Sequence, residues 1–167
     1  MQKDCPGEGD VGIDWRNSLR RHFRGRIVFV TLGGGRSGDD GVGLEIQTEL
    51  SKKPDMTVIH AGLYLHNILG VIARENPDTI VLLDAADLGE QPGHIRILDL
   101  DDIIDRGGSS HGIPLSLLMK QLAKMTGAHV ILVGIQFSSV RPDAGLSPSA
   151  RDAVKTVVAG IEEALFM

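Results

Sequence analysis

Four short apolar runs alternate with segments of helical period along this chain, and that alternation restricts the fold more than any other feature. "RIVFVTL", "MTVIHA" (Met56–Ala61), "DTIVLLDAA" and "AHVILVGIQF" have the character of buried strands bounded by turn residues. "GVGLEIQTEL" places Val42, Ile46 and Glu49/Leu50 at helical spacing, and "LYLHNILGVIAREN" does the same for Leu65, Ile68, Leu69, Ile72 and Ala73. "PLSLLMKQLAKM" carries Leu115, Leu118, Leu122 and Met125 on one face, while "HIRIL" (His94–Leu98) alternates like an edge strand. "DWRNSLRRHF" reads as a short helix with Asp14 as its N-cap. The last helix has the clearest start, with Ser147 as N-cap and Pro148 at the first helical position. Val154, Val157, Val158, Ile161 and Leu165 then follow along its buried stripe. The pattern predicts an α/β fold, a three-layer αβα arrangement with a mostly parallel twisted sheet and helices on both faces. Ligands of such sheets bind beyond the carboxyl ends of the strands, near the point where strand order reverses.

A chain of 167 residues is long enough to bury a core, and one domain is expected over residues 14–167 after a flexible leader at 1–13. The net charge of −5 argues against a nucleic-acid partner, which would need clustered Lys and Arg. The one basic cluster, "RNSLRRHFRGR" (Arg16–Arg26), reads as a solvated helix face. The single cysteine, Cys5, has no intramolecular partner. No apolar run approaches the ~18 residues of a membrane span, and no signal-peptide core is present. A soluble, cytoplasmic protein without a membrane partner is the expectation.

"TLGGGRSGDDGVG" (Thr31–Gly43) follows the first strand, and Gly33, Gly35 and Gly38 spell G-x-G-x-x-G. A dinucleotide site would need an acid at the end of the second strand, where His60 and Ala61 stand instead; Asp55 lies before it. Asp39 and Asp40 would repel a pyrophosphate at the helix start, and no G-K-[ST] follows. A nucleotide ligand is therefore not expected. One aspartate can serve as a helix cap. Two adjacent ones must point in different directions, so Asp39 is expected to serve structure and Asp40 to enter the cleft.

Asp84 closes the run "TIVLLD" at the carboxyl edge of a buried strand, although a plain N-cap role fits the spacing equally well. Asp87 is more ambiguous. His111 lies in the glycine/serine loop "RGGSSHG" with nothing nearby to bury its ring. His60, His66, His94 and His129 fall within or beside apolar segments and read as packing histidines. Two carboxylates and one imidazole suit a divalent cation with open positions, such as zinc or nickel.

With these residues in view, the sequence resembles the hydrogenase maturation endopeptidases, whose pattern is close to G-x-G-N-x-L-x-x-D-D-G-x-G after the first strand. "TLGGGRSGDDGVG" aligns with it without a gap, "LLDAADLGEQPG" is similar to the family's D-A-x-x-x-G…P-G, and "SSHGIPLSLLMKQL" to its histidine loop. "LVGIQFSSVRPDAGLSPSARDAV" is similar to its V-G-x-x-P…GLSP stretch. The resemblance implies an aspartyl-type endopeptidase that trims the C-terminus of a nickel-loaded [NiFe]-hydrogenase large-subunit precursor. It places the catalytic, metal-contacting positions on Asp40, Asp84 and His111. Nickel would come with the substrate, with no permanent cofactor. Thr31, Gly34 and Arg36 depart from the family's glycine, asparagine and leucine. A non-catalytic module that only binds the nickel-loaded precursor is the alternative.

Overall fold

Alternate residues of each central strand belong to two separate cores, so helices must cover both faces of the sheet. The computed structural model describes residues 14–103 and 112–166. Five strands, β1 (Ile27–Leu32), β2 (Thr57–Gly62), β3 (Thr79–Ala86), β4 (Ile95–Asp99) and β5 (His129–Gln136), form one sheet in the order β2-β1-β3-β5-β4. β2, β1, β3 and β5 run parallel, and β4 pairs antiparallel with β5 at the edge. Phe29, Val81, Leu83, Ile131 and Val133 pack against α1 (Asp14–His22), α2 (Val42–Leu50) and α5 (Pro148–Phe166). Val28, Val30, Ile80, Leu82, Val130 and Leu132 face the other way, toward α3 (Leu69–Arg74) and α4 (Leu115–Thr126). The αβα arrangement with a mostly parallel sheet is thus as the periodicity predicts.

The chain leaves β1 toward β2 on one side and returns past it to β3 on the other, so strand order reverses between β1 and β3. The first connection, a 3-10 turn at Gly38–Gly41 followed by α2, begins at this reversal. α2 can sit so close to β1 only because Gly43 has no side chain; a Cβ there would overlap the Leu32 carbonyl oxygen. Gly43→Ala should therefore cost about 1–3 kcal/mol, the range for overpacking a tight contact, read as a fall in the urea midpoint.

Three expectations change on contact with the structure. The segment Leu65–Ala73 is not one helix: a 3-10 turn at Leu65–Asn67 precedes α3, and Ile68 between them has φ −119°. Leu65, Leu69 and Ile72 are buried all the same, because both pieces present one side to the sheet. Met125 is 48% exposed, and Met119 joins Leu118 and Leu122 in the core. α4 ends one residue later, where Gly127 adopts φ 71° and turns the chain back toward β5. Asp84 is no N-cap, since β3 runs on to Ala86, pairing Asp84 with Gly134, and leads to β4 without a helix.

The two ends of the basic cluster form surface pairs, Arg16 with Glu163 at 3.3 Å and Arg26 with Glu75 at 2.6 Å. Among the described residues, no helix is long and apolar enough to cross a membrane.

Candidate functional site

The two aspartates after β1 diverge in environment. Asp39 is 1% exposed, and its carboxylate accepts bonds from the Ser147 N–H at 2.7 Å, the Ser147 hydroxyl at 2.8 Å and the Ser138 N–H at 2.7 Å. Burial alone would raise its pKa; the bonds from Ser147, Ser138 and Ser139 outweigh burial and hold it below the usual carboxylate range. Asp39 thus ties the glycine turn to the loop between β5 and α5. Backbone bonds continue the seam, from Asp39 N to Ser139 O at 2.8 Å and from Gly38 N to Ala144 O at 3.0 Å. Ser147 is itself the cap of α5, its hydroxyl accepting from the Ala150 N–H at 3.2 Å.

Asp40 is half-buried and accepts a bond from the Gly34 N–H at 2.8 Å through Oδ2. That bond needs the turn to fold back on itself, which Gly33 permits with φ 100°, where a Cβ would overlap the Asp40 carbonyl oxygen. Gly34 is different. A Cβ there would lie 3.5 Å from Leu63 and 3.7 Å from Asp40 Oδ2, both ordinary contacts. Gly34→Asn, which installs the family residue, should leave stability within about 0.5 kcal/mol, read by thermal melting.

Asp84 continues the alternation of Ile80 and Leu82, on the face covered by α3 and α4. The residue as a whole is partly accessible, but its Oδ1 is sealed from solvent and accepts no hydrogen bond from a described residue. Burial first, then the negative charge of Asp40, push its pKa up to about 8, against a hydrogen bond from the Ala85 N–H. Among the described residues nothing offsets the charge of the two carboxylates, one from the turn after β1 and one from β3, and Asp84 is held toward its protonated form. An orphaned buried carboxylate oxygen is costly to keep, and such groups concentrate where chemistry is done.

His111 lies outside the described residues; Gly112, which follows it, leads into α4. Asp87 accepts a bond from the Gly89 N–H at 3.1 Å, a local turn. His60 Nδ1 lies 2.8 Å from the Thr31 hydroxyl, and burial lowers its pKa. His66 packs edge-on against Tyr64. Sequence reasoning passed over Gln136, whose buried Oε1 accepts from the Leu88 N–H at 2.6 Å and the Glu90 N–H at 3.3 Å. It anchors the loop that follows Asp84, and only its polarity at the end of an apolar strand hinted at that. A groove of about 260 Å³ runs beside the glycine turn, lined by Leu44, Thr48 and Leu146 among others but by neither Asp40 nor Asp84.

A family model described as hydrogenase maturation protease, HycI, matches residues 42–164. The hydrogenase 3 maturation protease of Escherichia coli K12 is 34% identical over 138 residues, 81% of this chain and 88% of that protein. The chain belongs to the hydrogenase maturation protease family. Its structure agrees. A [NiFe] hydrogenase maturation protease HycI from Thermococcus kodakarensis superposes with a TM-score of 0.80 at 27% identity, covering 89% of this chain and 98% of that one. The crystal structure of a hydrogenase 3 maturation protease gives 0.74 at 33% identity, covering 80% and 87%. The protease thus shares fold and family with known endopeptidases, which favours a cutting enzyme over a module that only binds. The family match includes Asp84 and begins just after Asp40.

Proposed function

We propose that the protease removes a C-terminal extension from the nickel-loaded large-subunit precursor of a [NiFe]-hydrogenase, with Asp40, Asp84 and His111 contacting the nickel. The observation that carries this reading is the buried Oδ1 of Asp84, without a hydrogen-bond partner among the described residues and within the field of the Asp40 charge, near the reversal of strand order. The ion belongs to the substrate and supplies Lewis acidity toward the scissile carbonyl. The Gly34 N–H fixes one oxygen of Asp40 and so orients that carboxylate. Asp84 is protonated below about pH 8 and gives up its proton when a cation replaces it. No nucleotide, nucleic acid or permanent cofactor enters the proposal. A cytoplasmic site of action completes it; a chain with one cysteine asks for no oxidising compartment.

The test is the intact mass of a nickel-loaded precursor incubated with the protease and with Asp40→Asn in parallel. The expected result is one fixed C-terminal mass loss, slowed at least ~100-fold in the variant, the lower end of what a lost acid–base or metal-contacting group costs. An unchanged precursor with the parent enzyme, or an unaffected rate in the variant, would sink the proposal.

A further inference from the structure

At the amino end of the sheet, three side chains from three elements converge on one point. His22 is the last residue of α1, Asp99 the last of β4, and His129 the first of β5. His22 Nδ1 and His129 Nε2 are 2.7 Å apart, and Asp99 Oδ1 lies 3.8 Å from the first and 3.7 Å from the second. The ring planes are nearly parallel, with an interplanar angle of 6° and centroids 5.0 Å apart, so the two imidazoles meet edge to edge. One N–H···N bond can join the two imidazoles, but the carboxylate is too far from both for a hydrogen bond. The 2.7 Å contact is a good N–H···N bond, and the same three atoms also suit a second arrangement. A circle through the three atoms, a triangle with sides of 2.7, 3.7 and 3.8 Å, has a radius of about 2.0 Å. Zinc–imidazole and zinc–carboxylate bonds are about 2.0–2.2 Å long. A cation at the centre of that circle would lie at bonding distance from all three ligand atoms, and the two imidazoles, which now aim their nitrogens at each other, would turn toward it and separate.

We propose that His22, Asp99 and His129 form a second metal site, separate from the Asp40–Asp84 pair, that takes a zinc-like divalent cation. Two imidazole nitrogens and one carboxylate oxygen are the donor set of borderline first-row ions, and three protein ligands leave a position for water. The site is remote from the candidate catalytic pair. His129 is level with Thr79 in the sheet, and Asp84 is five residues further along β3, about 16 Å at the usual strand rise. Its effect is therefore structural: the ion clamps the end of α1 to the edge of the sheet, where β4 meets β5. Arg24 works against it, since its positive charge reaches His129.

The full-length protein, stripped of metal, is titrated with Zn²⁺ by calorimetry, and its melting temperature is followed with and without the ion. Co²⁺ is added separately as a spectroscopic probe of the ligand set. One equivalent of Zn²⁺ should bind in Asp40→Asn and Asp84→Asn as in the parent, and raise Tm progressively with concentration, as any ligand specific for the folded state does. His22→Gln and His129→Gln should each weaken binding at least tenfold and remove the Tm rise, Asp99→Asn should weaken it, and Arg24→Gln should tighten it. Asp40→Asn and Asp84→Asn should leave it unchanged, and the Co²⁺ spectrum of the parent should show nitrogen ligation that His129→Gln loses. Circular dichroism of the metal-free variants checks that the fold survives. The proposal fails if no stoichiometric ion binds, if binding survives both histidine substitutions, or if it is lost in Asp84→Asn.

Discussion

Asp84→Asn should inactivate the protease and at the same time make it harder to unfold. In the folded chain the Asp84 pKa is pushed up to about 8, whereas in the unfolded chain it returns to the ordinary value near 3.8. The folded state therefore binds the extra proton between those values, and the contribution of Asp84 to stability is greatest below about pH 4. It declines as pH rises toward 8 and is flat beyond, where both states are ionised. Each pH unit within the window costs up to about 1.4 kcal/mol. Asparagine is uncharged and nearly the same shape, so it escapes that cost. At pH 7 the variant should be more stable by about 2–4 kcal/mol, or roughly 5–10 °C in Tm for a chain of this size. Near pH 4 the two proteins should melt together. Thermal melts across pH 4–8 read the difference. A variant no more stable than its parent at pH 7 would show that the buried carboxylate is not under the strain inferred for it.

Asp39→Ala should do the opposite and unfold most of the advantage of the fold's central seam. It leaves the N–H groups of Ser138 and Ser147 and the Ser147 hydroxyl without their acceptor. Each unsatisfied buried donor costs about 1–3 kcal/mol, which puts the substitution at about 3–5 kcal/mol in total. Asp39→Asn is no remedy, because its amide would direct N–H toward N–H. The pH dependence has the reverse sign to that of Asp84. A carboxylate held below its usual range stabilises the fold above about pH 4, and that contribution is lost as pH falls through its folded value. Urea unfolding of Asp39→Ala at pH 7 measures the loss, and a midpoint within error of the parent would refute the role assigned to Asp39.

The contrast between these neighbours was partly legible in the sequence. Two adjacent carboxylates at a helix start cannot share one task, and the first, Asp39, has its partners more than ninety residues away at Ser138, Ser139 and Ser147. Nothing local shows that seam. The strands were legible because β-branched runs ending in glycine have few other uses, and the α5 start because Ser147 and Pro148 have a capping chemistry. α3 is shorter than its period implies because period alone cannot register the break at Ile68. Asp84 could be placed at the end of an apolar run but not inside the strand, since the extra pairs with Gly134–Gln136 depend on β5. His22, Asp99 and His129 gave no signal at all. They are far apart in sequence, two of them sit beside packed segments, and only the antiparallel return of β4 brings them together.

In the proposed function, Asp40 and Asp84 act on a substrate that brings its own cation. That role is tested most directly by presenting the protease with two preparations of one precursor, nickel-loaded and nickel-free, and following intact mass with time. A single fixed C-terminal mass loss is expected from the loaded preparation and none from the other. Equal cleavage of both would contradict that role, because the carboxylate pair would then have no cation to meet.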